Sequence, residues 1–171
     1  EEVKFDAFYL PYGRLVKLIA KVKYKAGEKQ IDYYCKENAV FFIFIQEKKA
    51  DGSQEQRRIY FDDNYKVIKD LYKFKKVNDN RDFSKIENEN SKTNWPDLIE
   101  IFGQAFYGDS MFEKYFSYPV FENVQDNEMK IKKIKEEYGK IESLRNAGSL
   151  NEYNIDYTDS IAYWNNTRFT A

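Results

Sequence analysis

Ala39-Val40-Phe41-Phe42-Ile43-Phe44-Ile45 is an unbroken apolar run in a chain of which 33% is charged. It is too short for a helix of ordinary length, and β-branched and aromatic residues dominate it. A strand with one wet face alternates polar and apolar residues; this one shows no polar phase. It therefore reads as a central strand buried on both sides, which requires apolar cover above and below the sheet.

Working outward, turn signals bracket the run. Upstream, Gln30–Lys36 reads as a partner strand with Ile31, Tyr33 and Cys35 on one face, broken by Glu37-Asn38. Downstream, Lys49-Ala50-Asp51-Gly52-Ser53 contains Asp-Gly, a hairpin signal, and Arg57–Phe61 returns. Asp62-Asp63-Asn64 turns the chain again, and Lys66–Lys76 leaves as a further strand. At the front, Val3–Leu10 reads as a short strand. In Arg14–Lys25, Val16, Leu18, Ala20, Val22 and Tyr24 alternate with Lys17, Ile19, Lys21, Lys23 and Lys25. Residues 3–76 are thus expected to form an antiparallel meander of five or six strands.

The period then changes. Val77–Thr93 is a polar connection with Phe83 and Ile86 as its large apolar anchors. Asn94-Trp95-Pro96-Asp97 has the form of a helix start, and Leu98, Ile99, Phe102, Ala105 and Phe106 supply a stripe behind it. Ser110-Met111-Phe112-Glu113 opens a shorter helix, ended before Pro119. Asp126–Asn146 is the longest helical pattern, with Ile131, Ile134, Tyr138 and Ile141 on one face, Glu136 and Lys140 as an i,i+4 pair, and Ala147-Gly148 as its stop. Glu152–Phe169 reads as a final strand, near 153–165, or an ordered tail. The expected fold is α+β: one domain of 171 residues in which helices from 95–146 pack on the sheet. The order helix, Gly-Asp, Phe-rich helix, Pro over Asp97–Phe121 is similar to the first helices of NTF2-like proteins. In those the helices precede the sheet, whereas here the sheet comes first, so no residue role is carried across.

Composition narrows the chemistry. Histidine is absent, which removes the commonest general base and metal ligand together. The single cysteine, Cys35, permits no intrachain disulfide and lies at an apolar strand position, where a structural thiol is expected. No Gly-rich phosphate loop, zinc spacing or nucleophile elbow is present, and no cofactor is expected. The chain opens Glu1-Glu2-Val3, which reads as a processed or trimmed form. From that, and from the Tyr/Asn/Lys-rich character, we expect a soluble protein of the bacterial periplasm or cell surface, with a cytoplasmic location as the alternative. Fifteen Tyr, 14 Phe and 2 Trp are first of all core material.

Candidate sites come from charge and from aromatics. Residues 1–77 hold 17 basic against 12 acidic side chains, and the remainder 11 against 17, so the sheet half is the basic half. Lys17, Lys21, Lys23 and Lys25 share one side of their strand, and Lys69, Lys73 and Lys75 one side of another. If the two sides coincide, they make a basic surface for a polyanion such as single-stranded nucleic acid or an anionic glycan. The simpler explanation is the wet side of an antiparallel sheet. The carboxylates Asp62-Asp63, Asp97/Glu100, Glu136-Glu137 and Asp156/Asp159 would be needed for a hydrolase, although turns and helix starts account for them. Trp95, Tyr163 and Trp164 are candidates for sugar stacking, and Asn165-Asn166-Thr167 is a sequon. The favoured function is a non-catalytic binding or interaction module, with a protein partner ahead of a polyanion. The alternatives are the polyanion binder and the carboxylate-based hydrolase.

Overall fold

The computed structural model describes residues 2–37, 39–64, 66–90, 98 and 127–156. Within them the chain forms one antiparallel sheet and one long helix. The strands are β1 (Glu2–Tyr9), β2 (Leu15–Tyr24), β3 (Gly27–Lys36), β4 (Ala39–Lys49), β5 (Gln54–Phe61), β6 (Val67–Lys75), β7 (Glu89–Asn90) and β8 (Asn151–Asp156). The helix α1 spans Asn127–Asn146. Spatial order is β7-β6-β5-β4-β3-β2-β1-β8, so the first six strands are the expected meander, and β8 adds to the outside of β1. Seven strands have six residues or more; β7 is a two-residue pairing with β6.

Several details differ from the sequence expectation. The polar connection after β6 carries a 3-10 turn at Phe83–Lys85, capped by Asp82, as well as β7. The last strand starts and ends earlier than 153–165, because β8 pairs Asn151 with Tyr9 and Asp156 with Lys4. The expected helices between Asn94 and Phe116 lie outside the described residues except for Leu98, which is buried.

β4 sits fourth in the order, and its apolar run contributes to both faces, as its lack of a polar phase required. Successive side chains alternate across the sheet. Val40, Ile43 and Ile45 join Phe5, Leu18, Ala20, Ile31, Tyr33 and Ile59 on one face, where the Tyr33 hydroxyl donates to the Leu98 carbonyl at 2.9 Å. Phe42 joins Phe8, Ile19, Tyr34 and Tyr60 on the other face, beneath Ile131, Ile134 and Ile141 of α1. The spacing of those isoleucines is the apolar stripe of a helix that covers a sheet, and full burial of each stabilises by about 1.5–3 kcal/mol.

α1 ends where Gly148 takes a φ of +66°, the Ser149 N–H donating to Leu144 O and the Gly148 N–H to Arg145 O. That pattern is a Schellman stop, and it permits the short return into β8. Lys140 of α1 pairs with Glu137 at 3.2 Å rather than with Glu136. Glu137 also faces Lys36 at 3.7 Å, which draws it toward the sheet, whereas Glu136 is solvent-exposed.

Gly27 opens β3 at a φ of +155°, and a Cβ there would stand 2.3 Å from the Lys48 carbonyl oxygen. The neighbouring strand backbone cannot yield, so this glycine permits the close start of the β2–β3–β4 pairing.

Candidate polar cleft

The register of the meander arranges the helix-side face into rows that run across the strands. In an antiparallel pair, residues directly opposite one another point to the same side. The first row is Lys17, Tyr34, Phe42, Tyr60, Lys69; the second is Ile19, Asp32, Phe44, Arg58, Leu71. The third is Lys21, Gln30, Gln46, Gln56, Lys73, and the fourth is Lys23, Glu28, Lys48, Gln54, Lys75. The two lysine sets noted in the sequence therefore lie on the same face, at opposite ends of the same rows, with three strands between them.

α1 covers the first rows and leaves the last two open. Under the helix, Lys17 is only 1% exposed, contrary to the expectation of a solvent-facing lysine. Its Nζ lies 2.9 Å from Asp32, donates to Tyr34 Oη at 3.0 Å, and bonds Glu142 of α1. It also stands 4.6 Å from the centre of the Tyr34 ring. A buried ammonium requires this surrounding set. Burial raises the Glu142 carboxyl pKa, but the hydrogen bond and charge of Lys17, with help from Tyr34 and Arg145, hold it below the usual carboxylate range. Burial, reinforced by the charges of Asp32 and Glu142, pushes the Tyr34 hydroxyl far up. Two carboxylates thus converge at one place, as a hydrolase would need, but a lysine stands between them.

The open rows form a cleft of about 470 Å³, lined on this face by Lys21, Lys23, Glu28, Gln30, Gln46, Lys48, Gln54 and Gln56 and walled by Phe83. Its floor is amide rather than lysine. Gln30 Nε2 donates to Asp32 at 2.8 Å, and Gln56 Oε1 accepts from Arg58 at 3.3 Å. A carboxylate only accepts and a guanidinium only donates, so these bonds orient the two amides. Gln30 is left to offer its carbonyl, and Gln56 its NH2 group.

The lysines are not equal. Lys21 is exposed but held to Asp6 at 2.6 Å. Lys23 and Lys48 are exposed beside the cleft, and Lys25 lies in the turn beyond β2. Lys69 is exposed at the far end of the first row. Lys73, 6% exposed, is a second departure from the expected wet face: its Nζ donates to the Phe83 carbonyl at 2.6 Å. Burial, with Arg58 nearby, lowers its pKa. Lys75 lies 5.7 Å from the centre of the Phe83 ring. These contacts tie the 3-10 turn to β6 and give the cleft its aromatic wall.

Other expected sites resolve into structure. The Asp62 carboxylate accepts the N–H groups of Asn64 at 2.8 Å and Lys66 at 3.0 Å, closing the β5–β6 turn. Cys35 is buried, which pushes its thiol pKa well up and leaves it protonated and inert. Among the described residues no cluster of three or more potential metal ligands occurs. Among them, too, no helix is long and apolar enough to cross a membrane. Trp95, Asp97, Glu100, Asp159, Tyr163, Trp164, the sequon and the Asp156 side chain lie outside what is described.

The glutamine row escaped the sequence reading, which followed charge. The signal was present: Gln30, Gln46, Gln54 and Gln56 all occupy the wet phase of adjacent strands. Comparison of the chain with family models, with curated proteins and with solved structures found no match.

Proposed function

We propose that this chain is a non-catalytic binding module whose ligand lies in the polar cleft left open by α1. One observation carries this: the uninterrupted row Lys21–Gln30–Gln46–Gln56–Lys73, accessible at its centre and oriented by Asp32 and Arg58 behind it. Preorganised amides bind without paying the full ordering entropy of free side chains. They do not exchange protons at neutral pH. Among the described residues Glu28, Glu47 and Glu55 line the cleft; Glu47 is engaged by Tyr24 and Lys29 and Glu55 by Lys49, so neither stands free beside Glu28 as the second member of an acid/base pair. That favours binding over hydrolysis.

A protein partner held through an apolar patch has less support. The exposed large apolar side chains among the described residues, Tyr12, Val77, Met129, Leu144 and Tyr153, are spread over four separate segments of the chain. A place in the bacterial periplasm or at the cell surface suits a binder of extended polar ligands.

Side-chain amide NMR signals provide the test. The full chain, titrated at low salt with acidic oligosaccharides, a single-stranded DNA 15-mer and polyglutamate, is expected to show shifts of the Gln30, Gln46, Gln54 and Gln56 signals with at least one probe. The probe should emerge intact. Cleft signals unmoved by all three, or a cleaved probe, would overturn the proposal.

A further inference from the structure

Resting on the cleft as the binding site, we infer that its ligand is an acidic polysaccharide carrying one anionic group per disaccharide, laid across the strands. Three features of the cleft point there.

The first is spacing. Gln30, Gln46 and Gln56 come from adjacent strands β3, β4 and β5, so the amides repeat about every 4.8 Å. That step matches the length of one sugar ring in an extended polymer and is shorter than the stride of a stretched nucleotide chain. Each ring then meets one amide, and an amide both donates and accepts, as a hydroxyl does.

The second is the charge pattern of the outer row. Lys23, Lys48 and Lys75 stand on β2, β4 and β6, whereas β3 contributes Glu28 and β5 contributes Gln54. Cations on alternate strands recur at about 10 Å, two strand spacings and hence two sugars. Glu28 between the first two cations repels a polymer charged on every sugar. The row accepts an anion, refuses one, and accepts one again.

The third is the wall. Phe83 is half-buried and lines the cleft, with the Lys75 ammonium beside its ring. An apolar ring face suits the C–H face of a sugar. Single-stranded nucleic acid, by contrast, is held by successive aromatic platforms, and among the described residues Phe83 is the one aromatic side chain lining this cleft.

The test is titration of the full chain with a hyaluronan octasaccharide, in which glucuronate alternates with a neutral sugar. An oligogalacturonate of equal length, a neutral cello-oligosaccharide and the DNA 15-mer serve as comparisons. Hyaluronan is expected to bind most tightly and to move the four glutamine signals. Gln46→Ala should weaken it about fivefold, the scale of one lost hydrogen bond. Lys48→Glu should weaken it further, and Glu28→Gln should raise affinity for oligogalacturonate. All three positions are solvent-facing, and an unchanged thermal midpoint confirms that each variant folds. If DNA moves the cleft signals and hyaluronan does not, the cleft stands as a binding site and the glycan assignment falls; if the neutral cello-oligosaccharide equals hyaluronan, the requirement for an anionic group falls. If oligogalacturonate equals hyaluronan in the unaltered protein, the alternating pattern falls. If no probe moves the cleft, both readings fall together.

Discussion

Lys17→Met is expected to lower the stability of the folded chain by about 3–5 kcal/mol at neutral pH, the cost of breaking a buried ion set by removing one member. Methionine fills the space of the lysine stem, so the loss is electrostatic rather than a cavity. Asp32 and Glu142 would remain between sheet and helix without their shared cation. Urea denaturation of both proteins measures the difference, and a loss below about 1 kcal/mol would contradict the burial of Lys17. Adding Asp32→Asn to Lys17→Met should restore much of the loss, because it removes one orphaned charge.

The pH dependence has a definite sign. In the native chain the folded-state pKa of Glu142 lies below its unfolded value, so its contribution is present above the ordinary carboxylate pKa of about 4.3 and is lost as pH falls through the lower folded value. In Lys17→Met the largest lowering influence is gone, and the hydrogen bond of Tyr34 and the charge of Arg145 remain against burial, so the Glu142 pKa rises. Acid then costs the variant less stability than it costs the native chain, and the two curves converge as pH falls.

Phe42→Ala is expected to cost about 3–5 kcal/mol, the range for deleting a buried phenylalanine. Phe42 is 3% exposed and sits where three rings meet. It stacks on Tyr138 of α1 at 4.5 Å and 16°, and lies 4.9 Å from Tyr60 and 5.4 Å from Tyr34. Phe44 occupies the next row, nearer the cleft, and is only partly buried. Phe44→Ala should therefore cost less than half as much. Denaturation midpoints of the two variants make the comparison, and near-UV circular dichroism reports the loss of ring packing in Phe42→Ala. Equal costs would mean that α1 does not divide this face between the two rows.

Much of the architecture was legible because it is written in periods. The period of two in β2, the Asp-Gly hairpin and the unbroken β4 run led to a meander of five or six strands with β4 inside it. The isoleucine spacing of α1 led to its covering face. Burial of Lys17 was not legible. In a strand it reads as one more lysine on the wet phase, and it becomes internal only because Glu142, 125 residues later, descends on it from α1. The cleft was half legible for the same reason. Lysine alternation marked the correct face, but a helix that covers only one end of that face leaves no trace in the strands. The rows themselves depend on register, which bulges near Tyr9, Cys35 and Phe61 adjust and which residue type alone does not specify.

The central claim is that one face of the sheet is divided between a covered end and an open polar end. Amine acylation of the folded chain with a water-soluble reagent, followed residue by residue by mass spectrometry, tests it most directly. Lys23, Lys48 and Lys69 are expected to react at the rate of free lysine, while Lys17 and Lys73 react at least tenfold more slowly until denaturant is added. Lys17 reacting as fast as Lys23 in the folded chain would contradict the account.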